Sequence, residues 1–222
     1  MFNRIAFRYD FMNHFLSLGI DRTWRKKAIR MLREDHPRQV LDVATGTGDL
    51  AILIRQMLQP EKVTGVDISE GMLELGRKKI REQGMEDAVH LQQGDSEALP
   101  FPDAAFDAVT AAFGVRNFEH LEQGLSEMRR VLKPGGKAVI LEFSKPSIFP
   151  VKQLFNLYFR FITPNIGKWV ARSREAYAYL PESVAAFPQG AEMIGILKKT
   201  GYSNATCTPL TFGICSVYYA VN

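Results

Sequence analysis

The chain has 222 residues, of which 46% are hydrophobic and 23% charged, and its formal net charge is +4. This composition is typical of a globular domain and excludes collagen-like, coiled-coil and disordered chains. A chain of this length can bury a core large enough to fold without disulfides or structural metals. So small a net charge gives no reason to expect a nucleic-acid partner.

The cysteines and histidines form no recognisable metal or disulfide pattern. Cys207 and Cys215 lack CxxC spacing, and the four histidines lie far apart along the chain. No stretch has the pattern of a signal peptide or of a membrane span. We therefore expect a metal-free protein of the reducing cytoplasm.

Two helices are predicted at the start of the chain, at 3–18 and 21–34, with Gly19 as the stop between them. Short apolar runs then alternate with amphipathic helical patterns as far as residue 143. The strands are predicted at 39–43, 62–66, 88–92, 106–112 and 137–143, and the helices at 49–58, 69–82 and 119–132. This alternation is typical of a parallel sheet with helices on both faces.

After residue 143 the alternation gives way to mostly helical, aromatic sequence. A helix at 190–200 and two strands at 203–208 and 212–221 follow, and their short connection predicts an antiparallel pair. The predicted fold is α/β, a doubly wound, mostly parallel seven-stranded sheet of Rossmann-like type in one domain. Its parts are a helical cover at 1–35, a cofactor-binding half at 36–143, a helical substrate or lid insertion at 144–188, and the terminal helix and hairpin at 189–222.

A glycine-rich turn follows the first strand and opens the next helix. Gly46 and Gly48 permit a tight turn and close approach of a ligand to the backbone, and Asp67 ends the second strand. A carboxylate in that position can accept hydrogen bonds from ribose hydroxyls. The alternative is a purely structural strand–turn–helix corner, which the pairing of the loop with Asp67 makes the less favoured interpretation.

The charges around this turn favour one nucleotide over another. Asp42 precedes the turn and Asp49 stands at the start of the helix, where a dinucleotide would place its pyrophosphate. S-adenosylmethionine carries a sulfonium and an ammonium instead, and both are attracted to carboxylates. After the third strand, Asp95 and Ser96 are placed to contact an adenine amino group. The alternative for Asp95 is a purely structural role, with its side chain accepting a hydrogen bond within the turn.

Several motifs resemble those of class I S-adenosylmethionine-dependent methyltransferases: DVATGTGD at 42–49, VDISE at 66–70, GDSEALPF at 94–101 and LKPGG at 132–136. More specific motifs are similar to those of the ubiquinone/menaquinone biosynthesis C-methyltransferase family. They are YDxMN at 9–13, SxGIDRxW at 17–24, FGVRN at 113–117, LEFSKP at 141–146 and YxYLxxS at 177–183. The resemblance covers essentially the whole chain.

The resemblance implies a set of site residues. The cofactor contacts it implies are Thr47, Asp67, Asp95, Ser96 and, through the backbone alone, Ala112, where many members have Ser. Gly46 and Gly48 of the glycine-rich turn complete the predicted cofactor site. The catalytic residues it implies are Arg116 and Asn117, with Arg116 and Tyr177 at the substrate. Arg116 would lower the pKa of a quinol oxygen; the alternative is a surface salt bridge to Glu119 or Glu122.

The reaction that the resemblance implies is C-methylation of a polyprenyl quinol, from demethylmenaquinol to menaquinol, with S-adenosylhomocysteine as the second product. A benzoquinol of the ubiquinone pathway and another lipid-like small molecule are the alternative substrates. The reaction needs a base to remove the quinol proton. Asp10 is ranked ahead of His14, Asp21 and Tyr177 are also considered, and the base stays unassigned.

The segment from Lys145 to Arg174 has six basic residues and no acidic one, with aromatic residues interleaved. This pattern predicts transient binding to an anionic membrane surface, at the inner face of the cytoplasmic membrane, where the lipid tail is collected. A buried core helix is the alternative interpretation. The uncharged terminal hairpin could also serve as a contact in a homo-oligomer.

Two other classes of protein compete with this interpretation. An NAD-dependent oxidoreductase would need a helix N-terminus free of carboxylates and a catalytic dyad, and neither is present in the sequence. A non-catalytic lipid-binding scaffold would be expected to have degraded cofactor loops, whereas the loops here are intact.

Overall fold

The computed structural model describes residues 17, 19–157 and 182–222. Its helices, in chain order, are α1 (Asp21–Arg30), α2 (Asp49–Leu58), α3 (Glu70–Glu82), α4 (Leu121–Arg130), α5 (Val151–Leu157) and α6 (Ala191–Lys199). The strands are β1 (Gln39–Val43), β2 (Lys62–Asp67), β3 (Val89–Gln93), β4 (Phe106–Ala112), β5 (Leu132–Phe143), β6 (Ser203–Leu210) and β7 (Cys215–Val221).

The seven strands form one sheet in the order β3-β2-β1-β4-β5-β7-β6. The first five strands are parallel, while β7 pairs antiparallel with both β5 and β6. A single 3-10 turn, Thr211–Gly213, joins β6 to β7, which is too short for a parallel crossover. The predicted fold class, including the antiparallel terminal hairpin, is confirmed.

Apolar clusters cover both faces of the sheet. Neighbouring strand residues belong to different clusters, Val40 to one and Leu41 to the other, because side chains alternate across a strand. On the first face, Trp24 of α1 packs in tilted or edge-on contact with Phe113 and Phe143. Helix α1 is thereby fixed beside the carboxyl ends of β4 and β5.

The clearest difference from the sequence prediction is the start of β5. The strand begins at Leu132 instead of residue 137, so the Pro-Gly-Gly sequence lies inside it. The pairing register with β4 shifts there, and Gly135 adopts a φ of 75° while its N–H donates to the Asn222 carbonyl. The residues before the predicted strand therefore form a bulge within it, where a glycine accommodates the left-handed backbone.

Part of the prediction falls on residues that are not described. The first predicted helix, at 3–18, and the insertion between residues 157 and 182 lie largely outside the described residues. The second predicted helix is confirmed as α1.

Candidate active site

A cleft of about 270 Å³ opens at the carboxyl ends of the central parallel strands. It lies where the chain leaves β1 toward one side of the sheet and β4 toward the other, which is the usual ligand position in such sheets. The described lining residues are Arg25, Ala44, Thr45, Gly46, Asp49, Asp67, Ile68, Met72, Asp95, Ser96, Glu97, Ala112, Phe113, Gly114, Asn117, Phe118 and Glu119.

Asp67 connects the two loops at the centre of the cleft. Its Oδ2 accepts a hydrogen bond from the Gly46 N–H at 2.8 Å, and its Oδ1 accepts one from the Ser69 N–H at 2.8 Å. The residue is 8% exposed and lines the cleft. A carboxylate offers about four lone-pair sites, so these two bonds are compatible with acceptance from ribose hydroxyls, which stays a prediction.

Thr47 and Gly48 are not among the described residues that line the cleft. The Thr47 Oγ1 accepts a hydrogen bond at 2.5 Å from Lys79 of α3, whose ammonium also pairs with Asp49 at 2.7 Å. Gly48 has a φ of 76°, and a β-carbon there would lie 3.2 Å from Leu91. In the described structure these two residues shape the loop, and a direct cofactor contact by either stays a prediction.

Asp95, Ser96, Ala112 and Asn117 do line the cleft, at or after the carboxyl ends of β3 and β4. Asp95 also has the structural role considered as the alternative, since its Oδ1 accepts a hydrogen bond from the Glu97 N–H at 2.8 Å. The two roles are compatible because the carboxylate keeps further acceptor sites.

Asp42 lies beneath the glycine-rich loop instead of lining the cleft. It is 1% exposed and accepts hydrogen bonds from Thr45 Oγ1 at 2.6 Å and Thr110 Oγ1 at 2.9 Å. Burial raises the pKa of Asp42 to about 6, although these bonds and the charge of Arg25 act in the opposite direction. Asp42 therefore takes up a proton at a higher pH than an ordinary aspartate, although it is still mostly ionised at pH 7.

Arg116 forms a buried ion pair that the sequence analysis missed. Its Nη1 lies 2.6 Å from the Glu142 Oε1, and both side chains are 0% exposed. The alternative of a surface salt bridge to Glu119 or Glu122 is therefore wrong. A glutamate within the apolar run of β5 is the signal that could have found the pair, since a buried charge needs a partner.

Arg116 is also absent from the described residues that line the cleft. Its Nη1 donates a second hydrogen bond, at 2.6 Å, to the Phe113 carbonyl. Burial raises the pKa of Glu142, while Arg116 lowers it. Contact between Arg116 and a quinol oxygen stays a prediction, and the structure adds that this guanidinium neutralises Glu142 and holds the turn after β4.

A second arginine, Arg25 of α1, lines the cleft although the sequence analysis did not select it. Only the packing of α1 against β4 and β5 reveals it. Of the proposed base candidates, Asp21 is described: it accepts a hydrogen bond at 3.0 Å from Ser17 and lines a neighbouring cavity. Asp10, His14 and Tyr177 lie outside the described residues.

The chemistry of the lining fits S-adenosylmethionine. Five carboxylates and one basic side chain line the described part of the cleft, which suits a ligand bearing a sulfonium and an ammonium. Asp49, the first residue of α2, occupies the position where a dinucleotide would place its pyrophosphate. Among the described residues, no group of three His, Cys, Asp or Glu side chains is arranged to hold a metal ion.

The sheet order and the cleft together define a class I S-adenosylmethionine-dependent methyltransferase. Comparison with known sequences narrows the class. The sequence model of the ubiE/COQ5 methyltransferase family matches residues 1–222, and the chain belongs to that family.

Curated relatives match along nearly the whole chain. A demethylmenaquinone methyltransferase from Bacteroides fragilis is 50% identical over 220 residues, which are 99% of this chain and 90% of the relative. A protein of the same name from Porphyromonas gingivalis is 47% identical, over 98% of this chain and 89% of the relative. A ubiquinone/menaquinone biosynthesis C-methyltransferase from Geobacter sulfurreducens is 46% identical, over 98% and 85%.

Solved structures support the fold. A SAM-dependent methyltransferase from Thermotoga maritima superposes with a TM-score of 0.68 at 19% identity, over 99% of this chain and 97% of that one. A phosphoethanolamine N-methyltransferase from Haemonchus contortus, in complex with S-adenosyl-L-methionine, gives 0.67 at 15% identity, over 100% and 60%.

Proposed function

We propose that the protein transfers a methyl group from S-adenosylmethionine to a ring carbon of a polyprenyl quinol, converting demethylmenaquinol to menaquinol. The observation that carries this proposal is the match to demethylmenaquinone methyltransferases along nearly the whole chain, including the strand-end segments that build the cleft. The relative from Geobacter sulfurreducens is named for both quinone pathways, which favours a benzoquinol as the second candidate substrate.

The residues proposed to hold S-adenosylmethionine are those that line the cleft between β1, β2, β3 and β4. Asp67 would accept from the ribose hydroxyls, Asp95 and Ser96 would meet the adenine, and Gly46 and Ala112 would offer backbone surface. Thr47 and Gly48 would act through the shape of the loop. When bound, S-adenosylmethionine supplies the methyl group as a sulfonium.

The remaining task of the protein is to handle the quinol. A phenol has a pKa of about 10, so the ring oxygen must lose its proton before the neighbouring carbon becomes a good nucleophile. Asn117 lines the cleft beside Phe113 and can offer its amide to that oxygen. Asp10 stays the first candidate for the base, Tyr177 a candidate substrate contact, and Arg116 a candidate electrostatic partner.

A second proposal concerns where the substrate is collected. Several apolar side chains after β5 are exposed: Ile148 by 56%, Phe149 by 77%, Leu154 by 60% and Leu157 by 55%. The exposure of Leu154 and Leu157 supports a surface role for α5 over the alternative of a plain core helix. We propose that this surface and its basic flank contact the inner face of the cytoplasmic membrane.

Within the part of the chain that the structure describes, no helix combines the length and apolarity needed to span a bilayer.

Mass spectrometry tests the proposed reaction. The protein is incubated with S-adenosylmethionine and either a demethylmenaquinol or the corresponding benzoquinol, and the product is expected to carry one added methyl group on the naphthoquinol. Reactions with S-adenosylhomocysteine in place of the donor provide the control. Methylation of only the benzoquinol would favour the second candidate, and binding of NAD but not S-adenosylhomocysteine in calorimetry would contradict the proposed class.

A further inference from the structure

The guanidinium of Arg25 is buried at the edge of the cleft with an unsatisfied donor. Arg25 is 9% exposed, and its Nε has no hydrogen-bond partner within the described structure. The nearest carboxylate oxygen, Oδ2 of Asp21, is 3.5 Å from that nitrogen, which is too far for a good hydrogen bond. An unsatisfied buried donor is costly, so a ligand that accepts its hydrogen bonds would bind with a large gain.

The surroundings of Arg25 hold it in place while leaving it in the cleft. Its Cζ lies 5.4 Å from the centre of the Phe113 ring, which is a cation–π contact. Phe113 has a φ of 60° at the end of β4, so a left-handed backbone directs the ring beneath the guanidinium. The arginine is thus pre-positioned at the β4 side of the cleft.

The charge balance of the cleft identifies the ligand group that suits Arg25. Five carboxylates line the described part of the cleft, and Arg25 is the one basic side chain among them. S-adenosylmethionine has two cationic groups and a single anionic group, the carboxylate of its amino-acid end. Within the described part of the cleft, that carboxylate would be repelled by the five carboxylates and attracted to Arg25.

The strand order places Arg25 at the correct end of the cleft. Asp95 and Ser96, proposed to meet the adenine, follow β3, whereas Phe113 follows β4. Three strand spacings of about 4.8 Å separate β3 from β4, or about 14 Å in total. An extended nucleoside amino acid with its ribose at Asp67 would therefore bring its amino-acid end toward Arg25.

We infer that Arg25 binds the carboxylate of the amino-acid end of S-adenosylmethionine and so fixes the direction in which the donor lies across the sheet. The inference rests on the proposed function only in taking S-adenosylmethionine as the donor. It is independent of which quinol is methylated. A guanidinium suits the task because its planar donors match a carboxylate.

Calorimetry with two ligands tests this inference without relying on activity. The ligands are S-adenosylhomocysteine and its decarboxylated analogue, which keeps the amine and lacks the carboxylate. Arg25→Gln is expected to weaken binding of S-adenosylhomocysteine by about 10- to 100-fold and to leave binding of the analogue unchanged. Arg25→Lys, which keeps the charge, should have an affinity for S-adenosylhomocysteine between those of the wild-type protein and Arg25→Gln. Arg22→Gln, at an exposed neighbouring residue, is the control and should leave both affinities unchanged.

Equal losses for the two ligands would show a general distortion of the cleft and would overturn the inference. Unchanged affinity for S-adenosylhomocysteine with a fall in quinol methylation would also overturn it, and would assign Arg25 to the quinol oxygen. A wild-type protein that binds S-adenosylhomocysteine but does not methylate demethylmenaquinol would contradict the proposed substrate alone. A wild-type protein that binds no S-adenosylhomocysteine would contradict the proposed donor as well.

Discussion

At the scale of single residues, Asp67 and Asp95 accept hydrogen bonds from the protein backbone as well as lining the cleft. Asp67 accepts hydrogen bonds from two loop N–H groups, and Asp95 accepts one from its own turn. We therefore expect the conformation of the loops that hold Gly46, Ser69 and Glu97 to influence the affinity for S-adenosylmethionine. A substitution is expected to change both quantities.

Asp67→Ala is expected to weaken binding of S-adenosylmethionine by roughly 1.5–3 kcal/mol, the range for hydrogen bonds to a charged group. The unfolding free energy should fall as well, because the N–H groups of Gly46 and Ser69 lose their acceptor. Calorimetry and urea unfolding measure the two effects. Asp87→Ala, at an exposed aspartate, is the matched control. Unchanged affinity in a folded Asp67→Ala protein would contradict the ribose assignment.

Arg116→Met is expected to lower the unfolding free energy by about 3–5 kcal/mol, because it leaves Glu142 buried without its counter-charge. The double variant Arg116→Met/Glu142→Gln should recover most of that loss, as urea unfolding would measure. If Arg116 also stabilises the quinolate, the refolded double variant should still turn over about 100-fold more slowly. Normal turnover in the double variant, with Glu142→Gln as the control, would show that Arg116 is structural.

Asp42 should make the stability depend on pH in a defined direction. Its folded-state pKa of about 6 exceeds the ordinary 3.8, so the native state binds this proton more tightly than the unfolded chain does. The unfolding free energy should therefore fall by about 3 kcal/mol as pH rises from below the ordinary pKa of 3.8 to above the folded-state pKa of about 6.

Urea unfolding of the wild-type protein and of Asp42→Asn across this pH range measures the contribution. Asp42→Asn cannot titrate at position 42. Its unfolding free energy, relative to that of the wild-type protein, should therefore increase as pH rises. Glu142, whose pKa is also raised, is present in both proteins and its contribution cancels. Parallel curves for the two proteins would show that Asp42 does not titrate in this window.

At the scale of elements, helix α3 supports the glycine-rich loop from behind. A β-carbon at Gly76 would lie 2.5 Å from the Leu91 Cδ1 and 3.0 Å from the backbone of Thr47. The helix can approach the loop this closely only because the residue is glycine. The position of the glycine-rich loop therefore depends on Gly76, although helix α3 could form with another residue there.

Gly76→Ala is expected to lower both the unfolding free energy and the affinity for S-adenosylhomocysteine, because the methyl group pushes the helix away from Thr47. Gly195→Ala in α6 is the matched control, since a β-carbon there meets nothing within 4 Å. The control should stabilise the protein by about 0.5–1 kcal/mol through helix propensity alone. Thermal unfolding and calorimetry measure both, and a stabilised Gly76→Ala protein would contradict the close packing.

At the scale of the whole molecule, the exposed apolar residues after β5 predict reversible membrane binding. Sedimentation with anionic liposomes should show binding that weakens with salt, because each basic group near the surface contributes about 1 kcal/mol. Changing Lys152, Arg160 and Lys168 to Glu should reduce it, whereas changing the exposed Lys62, Lys78 and Arg81 should not. Arg160 and Lys168 lie outside the described residues.

The same charge reversals should slow turnover of a long-tailed quinol far more than of a short-chain analogue, because only the long tail has to be collected from the bilayer. Equal losses on both substrates, or no liposome binding at low salt, would indicate an ordinary protein surface. Replacing Phe149 and Leu154 by Ser tests the apolar part of the surface separately.

Much of the fold and part of the site could be predicted from the sequence. Helix α2 was predicted with its observed bounds, Asp49–Leu58. Its helical hydrophobic period, the acidic residue at its first position and the glycine before it all indicate the same start. Gly46, Asp67, Asp95, Ser96, Ala112 and Asn117 all line the cleft, because each lies at or after the carboxyl end of a strand of one parallel sheet; their contact with the cofactor or substrate stays a prediction. The fold class was predicted for the same reason.

The sequence by itself determined the elements, their order and the carboxylates at the strand ends, because hydrophobic period and turn chemistry act between near neighbours. Tertiary structure decided which distant groups meet. Arg116 and Glu142 are 26 positions apart, and Arg25 reaches Phe113 only after α1 packs against the sheet. The glutamate within the apolar run of β5 signals that a partner is needed, but which residue becomes that partner depends on the packing of whole elements.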